Sequence, residues 1–85
     1  MKQFSYVLTY SAGLHVKPTG ALAREASRFK CAMHIYKGED FARLTDTKAL
    51  LAMGVRCGDT VRVTAEGIDE EAAIAAVQQH FVANL

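Results

Sequence analysis

A chain of 85 residues, 51% apolar and 22% charged, has the composition of one folded soluble domain spanning 1–85. A formal net charge of +1 with no basic run argues against nucleic acid as a partner. No apolar run approaches the roughly 20 residues that cross a bilayer. Met1–Ser5 lacks the apolar segment of a secretory signal, and Cys31 and Cys57 are too few and too far apart for a disulfide framework. A cytoplasmic chain without membrane insertion is expected.

Residues 2–8 alternate, with Phe4, Tyr6 and Leu8 against Gln3, Ser5 and Val7, which predicts a strand with one buried face. Thr9–Gly13 is a loop. A helix follows from about Val16 or Pro18 to about Phe29, with Leu22, Ala26 and Phe29 at core spacing and Arg24, Glu25 and Arg28 opposite. Proline disfavours helical geometry at Lys17, so the regular helix is expected to begin at Pro18. Cys31–Lys37 and Asp40–Leu44 form a hairpin across Lys37-Gly38-Glu39. A short helix runs from about Thr47 to Met53, capped by Asp46 and ended by Gly54. In Thr60–Glu66, Val61, Val63 and Ala65 face in, and Thr60, Arg62, Thr64 and Glu66 face out. Asp69, Glu70 and Glu71 open a last helix with Ile74, Val77 and Phe81 as its core stripe. The order β-α-β-β-α-β-α predicts an α+β open-faced β-sandwich, a four-stranded antiparallel sheet with its helices on one face.

The stretch with chemistry is Gly13-Leu14-His15-Val16-Lys17-Pro18. His15 stands just ahead of a helix start, where the first backbone N–H groups lack partners and the dipole is positive. That field disfavours imidazolium and favours a neutral, nucleophilic ring. An anion on the ring would be received by those N–H groups and by the Lys17 ammonium. Lability of a P–N bond suits a relay, in which the protein mainly positions groups and stabilises charge.

This stretch resembles the Gly-Leu-His-x-Arg-Pro active-site motif of the HPr family, the histidine-containing phosphocarriers of the bacterial sugar phosphotransferase system. Met53-Gly54-Val55, Gly58 and Val61-Arg62-Val63-Thr64-Ala65-Glu66-Gly67 are similar to that family's short-helix end and last strand, so the likeness spans essentially the whole chain. It implies an HPr-like fold. It also implies that His15 accepts a phosphoryl group on Nδ1 from enzyme I, itself phosphorylated from phosphoenolpyruvate, and passes it to a sugar-specific IIA component. Val16, Lys17 and Pro18 form the turn that receives the phosphate. The chain would be a monomeric carrier that turns over only with partner proteins, rather than a stand-alone enzyme, and needs no cofactor.

Three departures stand out. Lys17 replaces the usual arginine and keeps the charge but not the two-pronged donor geometry. Asp46 occupies a position where many members carry a regulatory serine; it reads as a helix cap or as a permanent phosphoserine mimic. Thr47-Lys48 replaces two apolar residues of the docking patch expected around Gly20, Thr47, Lys48 and Leu51, with Val16, Met53 and Val55 adding apolar area, some of it in the core. These changes leave a second reading: a regulatory module of HPr ancestry whose binding to a target protein is switched by His15 phosphorylation. His34 and His80 read as surface residues, Cys31 as core and Cys57 as an exposed loop thiol. No His/Cys/Asp/Glu group has metal-ligand spacing.

Overall fold

The computed structural model describes residues 1–14 and 16–85, and Val16 through its backbone. The elements follow the expected order: β1 (Lys2–Val7), α1 (Val16–Ser27), β2 (Ala32–Lys37), β3 (Asp40–Arg43), α2 (Thr47–Ala52), β4 (Thr60–Glu66) and α3 (Glu70–Asn84). The four strands form one sheet in the order β1-β4-β2-β3, with every neighbouring pair antiparallel. β4, late in the chain, therefore lies between β1 and β2, with Phe4 opposite Val63 on one side and Ile35 opposite Val63 on the other.

Alternation in the strands selects the packed face. Phe4, Met33, Ile35, Ala42, Val61, Val63 and Ala65 point into one core with Leu22, Ala26, Leu50, Val77 and Phe81 from the helices. The Phe81 ring meets Phe4 and Tyr6 edge-on, both at 5.5 Å between centroids, which fixes α3 across β1. α1 packs on α2 and α3, and α2 also packs on β3. Among the described residues no helix is long and apolar enough to cross a membrane.

Three details depart from the sequence reading. α1 begins at Val16 rather than Pro18, because a proline in the first turn gives up no intrahelical hydrogen bond and the restriction on Lys17 is overridden. Thr64 faces outward yet is only 5% exposed, because it sits mid-sheet between Gln3 and His34. The outer face is also less wet than alternation suggested. Tyr36 stacks on Phe41 at 5.7 Å and 29°, and the Arg62 guanidinium lies 4.5 Å from the Tyr36 ring centre while donating to Gln3.

Candidate functional site

The segment leading to position 15 is held from two sides. The N–H groups of Thr9 and Tyr10 donate to the Leu85 carbonyl at 2.7 and 2.8 Å, and the Thr9 hydroxyl donates to the same oxygen. This ties the loop to the end of α3. Gly13 closes a turn by donating to Tyr10 O at 2.9 Å, and Leu14 then donates to Val55 O at 3.0 Å while its side chain is buried. Only glycine serves at position 13. Its φ is +66°, and a Cβ there would lie 2.5 Å from Val55 O and 2.8 Å from Arg56 Cα, both backbone atoms.

The partner loop is itself braced. Asp59 accepts from the Arg56 N–H at 2.9 Å and pairs with Lys37 Nζ at 3.1 Å, and Lys37 also reaches Gly54 O. The Arg56 bond first, and the Lys37 ammonium second, hold the Asp59 carboxyl below its ordinary pKa. Rigidity thus passes from Lys37 through Asp59 to Arg56 and Val55, and from Val55 to Leu14, the residue before His15.

His15 and the Val16 side chain lie outside the described residues. Beyond them, α1 starts at once, with no acidic residue in its first turn. Lys17 is exposed and Pro18 half-buried. Pro18 carries no N–H, so it sets φ while Val16 and Lys17 keep the donors of that turn. Thr19 is fully buried, and its hydroxyl finds no hydrogen-bond partner among the described residues.

Lys17 and Pro18 line a cleft of about 260 Å³ together with Tyr10, Ala21, His80 and Asn84. His80 was read as a surface residue. It is half-buried, and its Nε2 is buried without a hydrogen-bond partner among the described residues. No local pattern marks it: only the packing of α3 against α1 brings position 80 beside position 17.

Asp46 sits as the sequence suggested at the α2 N-cap. Its backbone is extended (φ −99°, ψ 91°), and its carboxylate accepts from the Ala49 N–H at 3.1 Å. Thr47 and Lys48 are exposed on α2, Leu51 is 37% exposed, and Gly20 is half-buried on α1. Val55 belongs to the core part of that apolar set, and its carbonyl, in the loop after α2, accepts from the Leu14 N–H. Cys31 is half-buried and Cys57 exposed. Burial first, then the nearby Asp69, push the Cys31 thiol above its ordinary pKa. Among the described residues no group of three or more His, Cys, Asp or Glu side chains is arranged to hold a metal ion.

Comparison with known proteins places this geometry. Residues 2–83 match the family model described as the PTS HPr component phosphorylation site. The phosphocarrier protein HPr of Mycoplasma capricolum subsp. capricolum is 33% identical over 82 residues, covering 96% of this chain and 92% of its own. The solved structure of a mycoplasma histidine-containing phosphocarrier protein superposes with a TM-score of 0.94 at 32% identity, covering 96% of this chain and 93% of that one. An HPr from Thermoanaerobacter tengcongensis gives 0.93 at 28% identity, over 98% and 93% of the two chains.

Proposed function

The chain belongs to the HPr family of phosphocarrier proteins of the phosphotransferase system, and from that premise we propose that it carries a phosphoryl group on His15. The group comes from the phosphohistidine of enzyme I and goes to a IIA component. In the first step a neutral His15 ring nitrogen attacks phosphorus as the P–N bond to enzyme I breaks, and the second step repeats this with His15 as the leaving group. No water or metal is consumed in either exchange.

The observation that carries this reading is the start of α1 at Val16, directly after His15 in the chain. Phosphate oxygens on that ring would meet the free N–H groups of Val16 and Lys17 and the Lys17 ammonium, with Pro18 fixing the turn. The bonds from Gly13 and Leu14 to the Tyr10 and Val55 carbonyls support it by anchoring the preceding backbone. Gly20, Thr47, Lys48 and Leu51 are the surface offered to enzyme I and IIA, on the adjoining α1 and α2.

The test uses the intact chain with enzyme I and phosphoenolpyruvate. Acid-labile, alkali-stable phosphate should form, vanish in His15→Ala, and be removed by a IIA component. A chain that stays unphosphorylated refutes the carrier; phosphorylation that no IIA component discharges supports a protein-binding switch in its place.

A further inference from the structure

His80 is far from His15 in the chain, yet α3 carries it to the start of α1. Its neighbour Phe81 is fully buried, with the ring edge-on to Phe4 and Tyr6, which fixes the rotation of α3 about its axis. The end of the same helix is tied to the loop before His15, where Leu85 O accepts from the Thr9 and Tyr10 N–H groups. The cleft that His80 lines is walled by Tyr10, from the chain entering position 15, and by Lys17 and Pro18, from the chain leaving it. The imidazole thus stands on a rigid element at the proposed phosphoryl site.

Among the described residues, Thr19 Oγ1 and His80 Nε2 are buried side-chain polar atoms without a hydrogen-bond partner. Both belong to this end of the molecule. Thr19 is enclosed within the packing of α1, whereas His80 lines an opening. A buried nitrogen left unpaired forfeits the bond it made to water, so its partner has to be sought. Tyr10, Lys17 and Glu25 are the titratable or charged side chains that line the two clefts flanking His80. Glu25 is taken by Arg28 at 2.7 Å, and the Asn84 amide donates to the His80 carbonyl rather than to the ring. Lys17 forms no ion pair among the described residues, and no acidic side chain lines the cleft it shares with His80. The chemistry of these two is complementary: a neutral imidazole has one acceptor nitrogen, and a lysine ammonium has three donors and no acceptor.

We propose that His80 is a positioning residue for phosphoryl transfer: its Nε2 accepts a hydrogen bond from the Lys17 ammonium and holds that ammonium toward the phosphoryl group on His15. The role rests on the carrier reading above. A lysine ammonium is a compact charge on a flexible four-carbon stem, without the planar fork that grips two oxygens in fixed directions. Spending one N–H on His80 fixes the head group and leaves two N–H donors for phosphoryl oxygens. The rigid α3 thereby gives Lys17 the orientation that its own stem does not.

Two measurements on the intact chain test it. In long-range proton–nitrogen NMR spectra at mildly alkaline pH, where imidazoles are neutral, His80 should carry its proton on Nδ1. Its Nε2 resonance should move in Lys17→Met and stay in Tyr10→Phe. A proton on Nε2, or an Nε2 resonance that answers to Tyr10→Phe and not to Lys17→Met, overturns the contact. Initial rates of phosphorylation by enzyme I then test the role. His80→Phe keeps a ring and loses the acceptor, and should lower the rate about fivefold; His80→Gln, which keeps an acceptor, should restore most of it. In a Lys17→Met background His80→Phe should have no further effect, because His80 acts through Lys17. Additive losses, or an unchanged rate in His80→Phe, overturn the positioning role. A wild-type chain that enzyme I leaves unphosphorylated removes the carrier and this role with it, while the NMR spectra still decide the contact.

Discussion

Gly13→Ala should damage the protein far more than Gly54→Ala, and the difference can be worked from the backbone. Both glycines are left-handed, at φ +66° and +64°. An alanine forced into that region costs about 1–2 kcal/mol wherever it stands. At Gly54 nothing lies within 4 Å of the added Cβ, so that cost is the whole effect. At Gly13 the same methyl lies 2.5 Å from Val55 O and 2.8 Å from Arg56 Cα, which cannot rotate away as a side chain would. Relief requires the two segments to part, stretching the 3.0 Å Leu14–Val55 hydrogen bond and unseating buried Leu14. Overpacking of that kind adds roughly 1–3 kcal/mol. The expected losses are therefore about 3–4 kcal/mol for Gly13→Ala and about 1.5 for Gly54→Ala. In a domain of this size that corresponds to midpoints lower by roughly 12–30 °C and 6–12 °C respectively. Urea and thermal unfolding followed by far-UV circular dichroism measure both. Equal losses in the two variants would refute the claim that close approach, rather than φ alone, demands glycine at position 13.

Asp46→Ala should cost about 1 kcal/mol by removing the cap on the Ala49 N–H, whereas Asp46→Ser should be within a few tenths of wild type. Denaturant unfolding tests that, and the rate of His15 phosphorylation in Asp46→Ser tests mimicry separately: a faster rate supports it, an unchanged rate leaves only the cap. Lys17→Gln should slow phosphorylation by enzyme I about tenfold or more, since a charged donor to the phosphate is lost, while unfolding midpoints stay put; Lys17→Arg should retain transfer at an altered rate. Acid should weaken the fold in a defined direction. Asp59, Asp69 and Glu70 are all held below their ordinary pKa, chiefly by the Arg56, Lys30 and Gly67 N–H groups respectively. Their stabilisation is therefore full above the ordinary carboxylate range and is lost as pH falls through the lowered values. Asp59→Asn should flatten the acid limb of a stability-versus-pH curve; an unchanged limb would show that the Lys37–Asp59 brace carries no linkage.

The fold was legible because hydrophobic periodicity and caps are local signals. Thr60–Glu66 was placed with its observed bounds, and Asp46 as a cap was readable from its place ahead of a short apolar run. The first-turn proline misled by two residues, since its penalty falls on hydrogen bonds that a first turn does not make. The outer sheet face was missed for a different reason. Tyr36, Phe41, His34 and Arg62 come from three strands, and only register brings them together. Of the site, the motif around His15 could be read, but His80 beside Lys17 arises from contact between segments far apart in the chain.

The position of β4 has a consequence for how the molecule comes to exist. Because β4 fills the middle of the sheet, a chain emerging from the ribosome with only its first 59 residues has β1 without a partner and β2 with one open side. The longest-range pairing, Lys2 with Ala65, must close the largest loop before it returns any stabilisation. The anchor at Gly13 and Leu14 waits as well, since Val55 and the Asp59 brace follow α2 in synthesis. The residues that flank His15, the proposed phosphoryl acceptor, are thus made early and fixed late, and until Glu66 has been released a nascent chain presents a half-sheet with exposed edges to chaperones and proteases.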